Sequence, residues 1–235
     1  MKEYVVKYSL EFVVIFLGIL ISLYFEDARQ DRVENERKNK SIEQLINVID
    51  QDINQINNFI KLQEVSLESS DILYDNLNNE INLSEEKIMY NISSVGRALK
   101  SFFPQEGIFN QLIATGSFEL IEKDELKSLL LEIYNHQNNR NYATSYQIDL
   151  FQIKFSESIY NNFRVNSEYN YKEGEIYGKP VVKSFSFNEN YYYSNEFYGL
   201  LAEGKVNGNN YLRLIDNIRE NYVQAKIYAE YEISN

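Results

Sequence analysis

The 235 residues carry 35 acidic against 23 basic side chains, a formal charge of −12, with no cysteine. That balance argues against a nucleic-acid partner, because phosphate binding needs a basic face that releases counterions, and against a domain lying flat on an anionic bilayer. The missing cysteine removes disulfide frameworks, thiolate zinc sites and thiol nucleophiles, while 44% hydrophobic residues suffice for a folded core.

Residues 12–25 read FVVIFLGILISLYF, apolar around the whole helix apart from Gly18 and Ser22. A surface helix would keep a polar face, so the pattern points to a retained transmembrane anchor over residues 1–25. Fourteen residues rise only ~21 Å against a hydrocarbon core of ~30 Å. Extension back to Val5 supplies the missing length and takes in Lys7 and Glu11. Lys7 reaches the head groups by snorkelling, and Tyr4, Tyr8 and Tyr24 suit the interfacial belts. A cleaved signal peptide would show a small-x-small site, and LYFEDARQ has none. A buried helix of a soluble domain is the other alternative.

Glu11, Ile15, Gly18 and Ser22 follow 4-3-4 spacing and share one helix face. Gly18 and Ser22 form a small-xxx-small pair that admits a second helix, so the face reads as a helix–helix contact in the membrane. The plainer alternative for Glu11 is a hydrated position near the interface. Lys2 and Lys7 precede the apolar run, while Arg29, Arg32, Arg37, Lys38 and Lys40 follow it. That count leans towards a bacterial inner-membrane protein with a cytoplasmic C-terminal domain.

Residues 26–80 read as a charged stalk merging into a long helix, with no glycine or proline between Ile19 and Val95. Ile42, Ile46, Ile49, Ile53, Ile56 and Ile60 repeat at 4-3-4-3-4 spacing, a helix seam. Isoleucine at both seam positions favours parallel trimers or tetramers. The second apolar row, Leu45, Val48, Phe59 and Leu62, widens the face and favours packing inside a bundle.

Residues 81–235 read as the bundle. Ser84 before Glu85 and Glu86 is a helix start, and the helix is expected to run to about Phe103, before Pro104. GIFNQLIATG forms a short helix with Gly116 as its C-terminal cap. Leu126, Leu129, Leu130 and Ile133, then Phe151, Phe155, Ile159 and Phe163, keep helical spacing through one long helix or two abutting ones. Residues 164–210 turn to Tyr, Asn and Gly and read as an irregular excursion. It holds a candidate strand at 181–187 with no evident partner and a short helix near 195–203. A last helix covers residues 210–230. The fold class is therefore all-α: a membrane helix, a stalk and an antiparallel helical bundle.

Catalytic patterns do not emerge. His136 is the single histidine, among polar residues, and reads as incidental. No nucleophile elbow, phosphate-cradling loop, HExxH or calcium loop occurs. The acidic pairs Glu26–Asp27 and Asp124–Glu125 belong to the stalk and a helix start. No cofactor or metal is expected. Tyrosines at 169, 171 and 191–193 read first as core cover and second as a binding surface.

EFVVIFLGILISLYFEDARQ (11–30) resembles the opening of a membrane-anchored Bacteroidota family of unknown function. Its members show a Glu, an aliphatic run centred on GIL, and a polar stretch often reading NNWNE. Glu11, Gly18, Ile19 and Leu20 match, whereas Glu26, Asp27 and Ala28 stand where Asn-Asn-Trp is usual. FNQLIATGSFELIEKDELKSLLLEIY (109–134) is similar to that family's second recurring block. The resemblance implies a membrane-anchored helical protein and supplies no catalytic residues. The expected role is a non-enzymatic interaction or scaffold protein, a homo-oligomer or a subunit with a membrane-complex partner protein. The alternatives are a ligand-sensing domain with a Tyr-rich pocket near residues 169–193 and a membrane-perturbing defence effector.

Overall fold

A computed structural model describes the backbone of residues 2–97, 101–171 and 178–234, with their side chains except at 2–9, 97 and 179. Among the described residues the chain is mostly helical, with one two-stranded sheet. Apolar segment, stalk and first bundle helix are a single helix, α1 (Lys2–Leu77), which at 1.5 Å per residue is roughly 110 Å long. Nothing in its sequence interrupts the hydrogen-bond ladder, so the helix continues while its surroundings change. Residues 10–33 are exposed on every side, and core burial begins at Lys38. The helix stops where Asn79 adopts φ +64°, a left-handed conformation that asparagine tolerates.

α2 (Glu85–Arg97) turns back along α1, with Ser66 donating to the Val95 carbonyl at 3.3 Å. Its expected extension to Phe103 does not occur. Residues 98–100 lie outside the described residues, and residues 101–106 are non-helical because their backbone bonds to side chains of other helices. Phe102 N–H donates to the Tyr211 hydroxyl at 2.7 Å, Asn141 Nδ2 donates to the Phe102 carbonyl at 2.9 Å, and Gln105 N–H donates to Asp52 at 3.1 Å. α3 (Gly107–Ala114) ends as expected on Gly116 at φ +73°, with Phe118 N–H reaching back to the Leu112 carbonyl at 3.1 Å.

α4 (Asp124–Leu131) runs through a π-helical turn (Glu132–Gln137) into α5 (Asn138–Asn162). The strand expected at 181–187 does have a partner: β1 (Arg164–Asn170) pairs antiparallel with β2 (Lys179–Ser186), with a register shift at Asn166/Ser167. After the short α6 (Glu189–Tyr192), the two helices expected at 195–203 and 210–230 are one, α7 (Asn195–Ser234). The glycines that local rules would make breakers serve packing instead. A Cβ on Gly204 would lie 2.9 Å from the Phe151 ring, and one on Gly208 would overlap Gln63.

Cross-contacts fix the directions. Tyr74 meets Tyr198 at one end of the bundle, and Lys38 meets Glu232 at the other, so α7 runs antiparallel to α1. Gln137 bonds Asn217, and Lys154 pairs with Glu203 further along, so α4 and α5 run against α7 and parallel to α1. The seam residues Ile42, Ile49 and Ile56 are fully buried in this core, and Ile46, Ile53 and Ile60 pack against it. The isoleucine seam thus closes within the chain rather than being left for a parallel trimer.

Among the described residues no helix is long and apolar enough to cross a membrane. The apolar run 12–25 is bounded by Glu11 on one side and Glu26–Asp27 on the other. The extension to Val5 that supplied the rest of a span, with Tyr4, Lys7 and Tyr8, lies outside the described side chains. The expected anchor is thereby reduced to an exposed apolar helical segment.

Candidate functional site

The face made by Glu11, Ile15, Gly18 and Ser22 is wholly exposed. Ser22 Oγ donates to the Gly18 carbonyl at 2.9 Å, which satisfies the hydroxyl inside its own helix. Gly18 has open space where a Cβ would stand, so packing within the chain does not require glycine there. Around this face Phe12, Val13, Val14, Phe16, Leu17, Ile19, Leu20, Ile21 and Leu23 are also exposed. Among the described residues, then, the apolar run 12–25 has no polar side to turn to water and is exposed all round.

Deeper in the bundle lies a polar centre that sequence reasoning missed. Asp52 is fully buried, and its carboxylate accepts from Tyr222 Oη at 3.1 Å, Gln105 N–H at 3.1 Å and Gln105 Nε2 at 3.2 Å. Burial pushes this carboxyl above the usual range, and the Gln105 and Tyr222 bonds pull it partly back. Tyr134, Tyr211 and Tyr222 are driven well up, chiefly by burial, and stay neutral at pH 7. The Tyr134 hydroxyl sits beside Tyr222 yet makes no hydrogen bond of good geometry among the described residues. Its ring stacks on Phe109 at 4.6 Å. The signal was present in the pattern: Asp52 follows Ile49 by three and precedes Ile56 by four, so a carboxylate occupies the buried stripe. This centre is closed to solvent and acts as a structural pin for the loop at 101–105.

A second buried pair sits where α1 leaves the bundle. Lys38 Nζ and Glu232 Oε1 are 2.8 Å apart, and Glu232 also accepts from the backbone N–H groups of Glu122 and Lys123 at 2.9 and 3.1 Å. Burial raises the Glu232 carboxyl, but the Lys38 ammonium and the two N–H groups prevail and hold it below the usual range.

At the opposite end, Asp71, Tyr74 and Asp75 of α1 face Tyr198, Lys205 and Asn209 of α7 across an open groove of about 660 Å³. Lys205 pairs with Asp71 and lies over the Tyr74 ring. Of the stretch expected to form a Tyr-rich pocket, 169–193, residues 172–177 lie outside the described residues, and the described tyrosines do not share one site. Tyr169 and Tyr171 are exposed on the hairpin, whereas Tyr191 and Tyr192 are buried against Phe163 and Phe197. His136 is exposed on the π-helical turn, and among the described residues no group of three or more His, Asp or Glu could hold a metal ion.

No protein family, curated protein or solved structure matches this chain.

Proposed function

We propose that the chain is a membrane-anchored, non-enzymatic interaction protein. Its apolar N-terminal helix enters the bilayer, and its stalk holds the helical bundle off the surface. The observation that carries this reading is the contrast along α1. Residues 10–25 are exposed all round, whereas the same helix is buried from Lys38 onward. Leaving a large aliphatic or aromatic side chain in water forfeits about 1.5–3 kcal/mol, and more than ten stand together here, so the segment requires a cover. A bilayer covers every side at once. The exposed stretch at 26–33, with Arg29 bonded to Glu26 at 3.0 Å, is a solvated helix suited to the lipid–water boundary.

The test is alkaline carbonate extraction of membranes from cells expressing the full chain. Retention in the pellet, lost when Leu17 and Leu20 are both replaced by Arg, is the expected result. Release of the unmodified chain into the supernatant sinks the anchor.

The groove between α1 and α7 favours a second reading, a ligand-sensing domain. Its volume lies within the range of small-molecule sites and two aromatic rings line it. A metabolite thermal-shift screen that finds stabilisers, abolished by Tyr198→Ala, would support sensing. A screen without stabilisers leaves the interaction reading alone.

A further inference from the structure

The groove between α1 and α7 already holds a cation of the chain's own. Lys205 Nζ pairs with the Asp71 carboxylate and lies 5.6 Å from the centre of the Tyr74 ring, within reach of a cation–π contact. The Tyr74 and Tyr198 rings stand 4.8 Å apart at 77° and form two walls of a corner. Tyr74 Oη donates to the Tyr198 carbonyl at 3.2 Å, which ties that corner to both helices. Asp75, one turn beyond Asp71 on the same helix face, lines the groove half-buried. Its carboxylate has no hydrogen-bond or ion-pair partner among the described residues. Of the charged side chains described in the groove wall, two are carboxylates and one is an ammonium. The groove is short of one positive charge.

We propose that this groove binds a small organic cation, a primary or quaternary alkylammonium, against the Tyr74–Tyr198 corner and the Asp71 and Asp75 carboxylates. This ligand class rests on the ligand-sensing reading above. Three features select it. An aromatic face attracts the positive end of a ligand through its ring quadrupole, and two faces meeting near a right angle enclose an ammonium on two sides. The Asp75 carboxylate repels an anion, and a neutral ligand would desolvate that charge without compensating it. Lys205 itself shows that an ammonium on an alkyl stem fits the place. Its pair with Asp71 is 41% and 54% exposed, a bond of little worth, so an incoming cation exchanges with it at small cost.

The probes are choline chloride, a quaternary ammonium, and putrescine dihydrochloride, a primary diamine. Each is titrated calorimetrically into the full chain in a non-ionic detergent, with sodium chloride at equal ionic strength as the blank. Saturable binding of at least one probe, in the millimolar range or tighter, is expected. Asp75→Asn removes a charge that has no partner in the fold and is expected to weaken binding about fivefold. Tyr198→Ala removes one wall of the corner and is expected to weaken it by a similar factor, about fivefold. Lys205→Gln removes the resident competitor and is expected to tighten binding about threefold. A damaged fold weakens binding in every variant, so the tightening in Lys205→Gln is a result that misfolding does not imitate. Binding of neither probe overturns the alkylammonium, and so does binding that all three substitutions leave unchanged. In either case a neutral or anionic stabiliser from the metabolite screen, lost with Tyr198→Ala, keeps the sensing reading and overturns the ligand class alone. A screen without stabilisers, together with silent probes, ends both.

Discussion

Glu232, three residues from the end of the chain, holds Lys38 at 2.8 Å with both side chains almost entirely buried, at the level where α1 emerges from the bundle. One carboxylate ties together the last turn of α7, the exit of α1 and, through the N–H groups of Glu122 and Lys123, the start of α4. Removing one partner of a buried pair costs about 3–5 kcal/mol, because the other charge stays buried without compensation. Glu232→Ala is expected to destabilise the bundle by that order in urea unfolding, and Glu232→Ala with Lys38→Met by clearly less. Equal losses in the two variants would show that the pair contributes through packing alone.

The same carboxyl sets a pH dependence. Its folded-state value is depressed below the unfolded 4.5, so its contribution is present above that pH and is lost as the pH falls through the folded value. Asp52 has the opposite sign. Its folded value is raised above 3.8, so its contribution favours folding below that pH and is lost as the pH rises through the raised value. In Asp52→Asn the loss disappears, and stability between pH 4 and 7 is expected to rise more steeply than in the unmodified chain. Tyr222→Phe removes one hydrogen bond to this carboxylate, worth about 1.5–3 kcal/mol, and is expected to lower the urea midpoint at pH 7. Parallel stability–pH curves for Asp52→Asn and the unmodified chain would contradict the assignment.

The glycines of α7 offer an internal comparison. A Cβ added at Gly199 would have nothing within 4 Å, whereas one at Gly204 would meet the Phe151 ring at 2.9 Å. Alanine in an open helical position gains about 0.5–1 kcal/mol over glycine, while overpacking a core contact costs about 1–3 kcal/mol. Gly199→Ala is expected to raise the melting temperature and Gly204→Ala to lower it. The same sign at both sites would mean that α7 does not pack on Phe151 as described.

What the sequence reveals follows from the range of the interactions concerned. The isoleucine seam, the Ser84 start and the Gly116 cap depend on residues within a few positions of one another, and each is found where local rules place it. Those rules divide α7 because glycine is a local breaker, and only the approach of Phe151 and Gln63 from other helices shows why glycine belongs there. Of the hairpin, the alternation at 181–187 announces β2, whereas β1 escapes them because it reads RVNSEYN, exposed along nearly its whole length, with no apolar alternation to announce a strand. Lys38 and Glu232 are 194 positions apart, and neither carries a mark of its partner, although Glu232 follows Ala225 and Ala229 on the buried face. The π-helical turn at 132–137 has no sequence signature at all.

In the anchored reading proposed above, charge beside the apolar segment sets the side of the membrane on which the bundle would lie. Five cations, at 29, 32, 37, 38 and 40, follow that segment against two before it, and positive flanks are retained in the cytoplasm. Orientation is decided during insertion, before Lys38 finds Glu232, so the folded-state pairing does not subtract from the count. A single cysteine at Ser234, exposed at the end of α7, reports the outcome directly when cells with a permeabilised outer membrane meet a membrane-impermeant thiol reagent. Labelling only after lysis is expected and places the bundle among cytoplasmic partners. Labelling before lysis reverses the orientation, and the distal groove between Tyr74 and Tyr198 would then face the envelope, where a sensing role gains weight.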